Sequence, residues 1–444
     1  MKMKEINDEF VEIIKKDFEG NMKSGREVVE YIAESTAMYR GDPIYSLYMP
    51  RLFPENVVAY LKNAAETMHG ILSKVIRNYM DDPEYRKLFG FPQDTGELIL
   101  TPALYDSLLP MARIDIFFNE DDMSFKFCEF NTDGSSGMNE DRELCNGFRG
   151  TAAYRELSRK YRLESFELFS SWCAAVEKIY EGFENKTEDP RVGIVDFTEK
   201  GCSPEEFGVF RDTFVKRGMD AEICEIRDMK YRNGILYSGS GKRIDIIYRR
   251  AVTCDILNAK DEVKDFLRAV KDGSVCLVGN FRSHVVHDKI AFEVLRLPET
   301  SRFLTSREID FIKEHVPYTA ELRSGTADAD EIINSREKWI IKPRDSYGAR
   351  NVFAGIKFSR DQWQDLIYKH MDSDYLIQEF CMPYESENID FRLKEPGFKK
   401  YSNLTGMYVY DGVFAGFYSR TSDETIIAEQ YDENDVASFM IKER

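Results

Sequence analysis

Four polar residues sit two apart within two short apolar stretches: Arg113 and Asp115 in RIDIFF (113–118), Glu129 and Asn131 in SFKFCEFN (124–131). Residues two apart on a strand point to the same side, and the acidic turn 119–122 between the stretches reads as the bend of a hairpin. Pairing of the two strands would bring a guanidinium, two carboxylates and an amide oxygen to one patch. Carboxylate plus amide oxygen is the hard-oxygen ligation that suits Mg²⁺. Phe125, Phe127, Cys128 and Phe130 are expected to pack around it. An ordinary hairpin with one solvated face would show the same alternation, so the reading needs support from elsewhere in the chain.

That support lies in the last third. EKWIIKPRDSYGARNVFAG (337–355) reads as a strand ending at Lys342-Pro343, a polar loop and a second strand. A lysine at a strand end beside a glycine-containing loop can set one ammonium and several backbone N–H groups on phosphate oxygens. GxxxxGK[ST] is absent, so this is no Walker A loop, and taken alone Lys342 also fits a surface lysine. DYLIQEFC (374–381) follows as a short strand, and 402–425 reads as a hairpin around Asp411-Gly412 with Arg420 on its return strand. Between these regions the turn-rich loop NTDGSSGMNED (131–141) carries Gly134 and Gly137, which would let its backbone approach a ligand.

The elements that must position these groups are legible in outline. The first hundred residues look helical, with 53–80 as a long amphipathic helix entered at Pro54, and are assigned a packing role. The stretch 163–183 also reads as helix and ends in the polar linker 184–190, the best boundary in the chain. Beyond it come a strand (191–197), a helix opened by Ser203-Pro204, and strands at 220–226 and 244–250, an open α/β unit. The loop after its first strand is not GxGxxG, so no dinucleotide is specified.

With 444 residues, the chain suits two or three subdomains. A net charge of −18 argues against nucleic-acid binding and favours a cationic small substrate over an anionic one. No apolar run is long enough to span a bilayer and the N-terminus lacks a signal-peptide core, so no membrane partner is expected and the protein reads as cytoplasmic. Eight cysteines form no CxxC pair, which supports neither a zinc site nor a disulfide framework. Nothing specifies the oligomeric state.

The order RID…CEFN, IDIIYRR, VCLVGNFRSHVVHDKIAFEVL, IIKPRDSYGARNV, LIQEF, LTGMYVYDGVFAGFYSR resembles the circularly permuted ATP-grasp proteins, specifically the synthetase domain of glutathionylspermidine synthase, over residues 100 to 425. The early position of Glu129-Phe130-Asn131 is what makes the resemblance specific. It implies a mixed α/β fold: a circularly permuted ATP-grasp core with an inserted pre-ATP-grasp, Rossmann-like domain. The expected divisions are a helical lead-in (1–100), the permuted part of the core with the metal-binding hairpin (101–185), the inserted domain (186–280) and the nucleotide-binding subdomains (281–444). No counterpart of the accompanying amidase domain is expected.

The resemblance further implies a site. Asp115, Glu129 and Asn131 would ligate Mg²⁺, Asp115 with the least regular spacing because the hairpin is longer than the pattern. Arg113 and Arg420 would be catalytic. Lys289 and Lys342 would contact the ATP phosphates, Ser346 and Gly348 would belong to a loop (345–350) closing over them, and Gln378, Glu379 and Phe380 would line the adenine slot on a strand edge. The ribose contact is left open between Glu385 and Glu387. The implied activity is ATP- and Mg²⁺-dependent amide formation between a small-molecule acid, such as a peptide, and a cationic amine, through an acyl phosphate, with Asp133, Glu140 and Asp141 as an acidic entrance for the amine. An ATP-dependent phosphotransferase and a non-catalytic nucleotide-binding protein are the alternatives.

Overall fold

The computed structural model describes residues 2–39, 41–199, 203–325, 328–345, 350–427 and 433–444. Two helices (Met3–Lys16, Phe18–Glu34) open the chain, and the long helix Glu55–Asp81 follows, entered at Pro54. The hairpin Met111–Phe118/Phe125–Asn131 comes next. At the other end of the chain a second hairpin, Phe398–Tyr410/Val413–Ser422, turns at Asp411-Gly412, both at positive φ. The two hairpins lie side by side in one antiparallel sheet, in the order 434–436, 413–422, 398–410, 111–118, 125–131, with Glu385–Ile389 also paired to 398–410.

Alternation along these strands sends Ile114, Ile116, Met407, Val409 and Phe417 to one face, where they are buried against Leu61, Ala65, Met68 and Leu72 of the long helix. An antiparallel sheet packed on one face leaves the other for polar work. Register then aligns Tyr418, Gly406, Asp115 and Glu129 in one row across that free face, and Tyr408, Arg113 and Asn131 in the next. The pairing shifts between Asp115↔Glu129 and Ile116↔Phe127, so Cys128 is an extra, bulged residue. A bulge reverses the alternation, which is how Phe130 and Phe127 can both be buried in the core while Glu129 faces out. Cys128, expected to pack with these phenylalanines, lines the cavity described below.

The unit after the linker is a parallel sheet ordered 276–278, 246–249, 192–196, 221–225. It is buried on both faces, by Trp172, Phe207 and Phe210 on one and Ile256, Phe266 and Ala269 on the other. A third sheet, ordered 319–321, 375–379, 339–343, 353–354, carries Lys342. One expectation is corrected: 163–183 is not continuous helix. Tyr161–Ser165 is a strand paired with the C-terminal strand Ser438–Glu443, and the helix begins at Phe169. Its partner lies more than 270 positions away in sequence, beyond the reach of local periodicity.

Candidate functional site

Asp115 is the centre of the free face and is fully buried. Arg113 donates to it through Nε (2.9 Å to Oδ1) and Nη2 (3.2 Å to Oδ2), Asn131 Nδ2 donates to Oδ2 at 3.0 Å, and Arg420 Nη2 reaches the same oxygen from the neighbouring hairpin. Two guanidiniums can converge there because Gly406 lies between their strands with no side chain. A Cβ at Gly406 would stand 2.9 Å from Asp115 Oδ1 and 3.0 Å from Arg113 Cδ. A glycine inside a strand often marks such a close approach. Gly406→Ala is expected to cost about 1–3 kcal/mol by overpacking and to displace both arginines, read as a lower denaturant midpoint with a native-like circular dichroism spectrum.

Asp115, expected as a metal ligand, is placed beneath the cavity as the acceptor of both arginines. Its oxygens are occupied by the arginines and the Asn131 amide, and it is absent from the residues that line the cavity above it. That cavity measures about 930 Å³ and is lined by Arg113, Glu129, Asn131, Lys289, Lys342 and Arg420 among others. Lys289 Nζ lies 2.8 Å from Glu129 Oε1. Burial alone would raise the Glu129 carboxyl, but Lys289, Lys342 and His287 hold it down to about 2. Burial likewise works against the Lys289 ammonium, which Glu129 nevertheless raises above the ordinary lysine range. Lys342 Nζ donates to Gln378 Oε1 at 2.8 Å, and Gln378 Nε2 donates to Thr319 Oγ1 at 2.9 Å, a relay that aims both side chains.

Gln378, Glu379 and Phe380 all line the cavity, but the strand Tyr375–Glu379 is no edge: it is paired to 319–321 on one side and 339–343 on the other. The Glu379 and Phe380 N–H groups are spent on Tyr318 O (2.8 Å) and Lys338 O (2.7 Å). The strand's backbone edges are thus closed by its neighbours at those positions. Neither Glu385 nor Glu387 is among its lining residues. Ser346 and Gly348, and with them most of the 345–350 loop, lie outside the described residues.

The three acids expected at the amine entrance have different surroundings. Asp133 is buried against Arg249 (2.6 Å) and accepts the Thr253 N–H (2.8 Å), and Asp141 accepts the Ser438 N–H (2.9 Å). Asp133 and Glu140 both line the cavity, and Asp141 does not. Sequence reasoning missed His287, Tyr418, Glu433 and Asp435, and it missed Tyr39 and 42–46 from the N-terminal region, assigned to packing but part of the cavity wall. Only Gly406, inside a β-rich run, carried a readable signal; the others are ordinary letters until the strands are paired.

Among the described residues, no helix is long and apolar enough to cross a membrane. No family model and no curated protein matches the chain. Solved structures do. A glutathione synthetase-like effector from Globodera pallida, in its apo form, superposes with a TM-score of 0.62 at 13% identity, covering 94% of this chain and 96% of that one. The "putative gamma-glutamylcysteine synthetase" of Methylobacillus flagellatus gives a TM-score of 0.44 at 10% identity, with 88% and 90% covered. Over nearly its whole length the chain thus has the fold of a glutathione synthetase-like protein.

Proposed function

We propose that this protein is an ATP- and Mg²⁺-dependent carboxylate–amine ligase on a circularly permuted ATP-grasp fold, similar to the synthetase domain of glutathionylspermidine synthase. The observation that carries the reading is one cavity holding two lysines on separate elements, a carboxylate–amide pair and two arginines. The donor set fits Mg²⁺. Glu129 and Asn131 offer hard oxygens two residues apart, the ligand type that suits an ion whose remaining positions go to phosphate oxygens and water. Bound there with a nucleotide, Mg²⁺ would neutralise charge on the β- and γ-phosphates.

The chain's own groups supply the rest. Lys289 and Lys342 spread the negative charge of the transferring phosphoryl group. Arg113 is immobilised through Asp115 and Ser136 O (2.7 Å), and Arg420 reaches across Gly406 with its Nε unpartnered among the described residues. The guanidinium fork suits a carboxylate or phosphoryl oxygen pair, so these two would hold the acid in line and stabilise the oxyanion that develops when an amine attacks the acyl phosphate. Alignment and electrostatics carry this chemistry without a covalent enzyme intermediate.

Phosphate release with acid alone, amine alone and both together tests the reading, with products weighed by mass spectrometry. A ligase needs both substrates and yields acid plus amine minus water; a stable phosphorylated product with no amine requirement would assign a phosphotransferase instead. Lys342→Met is expected to weaken ATP binding by about tenfold or more, the loss of a charged contact. Unchanged affinity in a calorimetric titration would return Lys342 to a surface role.

A further inference from the structure

Glu129 and Asp435 stand on opposite edge strands of the central sheet, four strand spacings apart, or about 19 Å. The lysines gather at the Glu129 edge. At the Asp435 edge the cavity has a different character. Asp435 Oδ1 accepts the Tyr418 hydroxyl at 2.6 Å, and the Tyr418 ring carries the guanidiniums of Arg113 and Arg420 at 5.4 and 5.5 Å. Glu140 faces the same space from the helix Met138–Arg149; it is 5% exposed, and its Oε2 has no hydrogen-bond partner among the described residues.

The neighbouring charges are already committed. Glu206 pairs with Arg250 at 3.0 Å and caps the N–H groups of Gly137, Met138 and Asn139, while Glu433 lies 3.4 Å from Arg420. Arg113 and Arg420 both point to Asp115. A buried carboxylate oxygen without a donor is costly; burial, with Glu206 and Asp435 nearby, pushes the Glu140 carboxyl up toward its protonated form, and a ligand cation would offset the same cost.

Apolar surface begins beside these acids. The Asp435 N–H donates to Tyr45 O at 2.8 Å, and Ser46 bridges to Asp435, which brings 43–46 against the acid pair. Pro43, Ile44 and Tyr45, with Val29, Ile32 and Ala33 of the second helix, wall this end of the cavity. That helix is held beside Glu140 by Asn139 Nδ2 donating to Thr36 O and by the Tyr31 hydroxyl donating to Glu143.

We propose that this end of the cavity is a subsite for a monoamine with an apolar carbon body: its ammonium lies between Glu140 and Asp435, and its body lies on Ile32, Ile44 and Tyr45. Asp42 is the acid that lines the cavity beside Pro43, and the Arg392 guanidinium, 4.8 Å over the Tyr45 ring, opposes a second or third ammonium on the same ligand at that wall. The role of this amine as acceptor rests on the ligase reading; its binding does not.

Calorimetric titration of the full chain with 2-phenylethylamine, its neutral counterpart 2-phenylethanol and the triamine spermidine tests the subsite. The monoamine is expected to bind about tenfold or more tighter than either. Glu140→Gln, of the same shape, should bring it to the level of the alcohol, and Ile44→Ser should weaken amine and alcohol together, each variant keeping a cooperative thermal transition. Equal binding of amine and alcohol, tighter binding of spermidine, or an undiminished amine affinity in folded Glu140→Gln would overturn the proposal. Tight monoamine binding with no amide formed from ATP and any acid would sink the ligase reading and leave the subsite standing. Amide formation on spermidine with no monoamine binding would do the reverse.

Discussion

Asp115→Ala is expected to destabilise the protein by about 3–5 kcal/mol, the range for removing one partner of a buried ion pair. The size follows from what the carboxylate faces. Arg113 and Arg420 are both nearly buried, both are hydrogen-bonded to it, and they meet over a glycine that offers no other acceptor. Without Asp115, Arg113 retains Ser136 O and Arg420 retains a 3.4 Å contact with Glu433, while two like charges stay close in a low-dielectric site. Asp115→Asn keeps the shape and some acceptor capacity and should cost less. Urea unfolding of both variants checks this. A loss below about 1 kcal/mol for the alanine variant, the scale of an exposed pair, would mean that the arginines do not depend on Asp115.

The second large effect belongs to Glu129→Gln, expected to lower Mg²⁺-dependent ATP turnover by about 10²-fold or more, the scale of losing one preorganised electrostatic contact in a reaction. The variant keeps the side-chain shape, so the fold should survive with a thermal midpoint near that of the parent. Lys289 loses its direct counter-charge, since Glu129 is what raises its ammonium above the ordinary range. Because the nearby cations hold the Glu129 carboxyl at about 2, it stays ionised throughout the neutral range and adds no acid limb to the pH profile there. Turnover equal to the parent at low and high Mg²⁺ would remove Glu129 from the metal assignment.

By itself the sequence determined those parts of the molecule whose cause is local. The period-two alternation of RIDIFF and SFKFCEFN put Arg113 with Asp115 and Glu129 with Asn131 on single faces, and the structure pairs them as Arg113↔Asn131 and Asp115↔Glu129. The helical spacing from 53 to 80 appears as Glu55–Asp81, and Asp411-Gly412 turns a hairpin as its letters require. Tertiary structure alone decided what those faces meet. Arg420 reaches Asp115 only because hairpins some 300 positions apart share a sheet, and that long-range register leaves no mark in a local pattern.

The same limit explains the misreadings. Asp133 and Asp141 look like members of a solvated acidic loop, yet each is buried against a donor from a distant element, Arg249 or the Ser438 N–H. Glu140, between them in the chain, lines the cavity as Asp133 does, but its Oε2 has no hydrogen-bond partner among the described residues. Three acids within nine positions thus take different roles. Composition records their charge, but which of them is neutralised, and by what, depends on how the helix Met138–Arg149 lies between the central sheet and the parallel one.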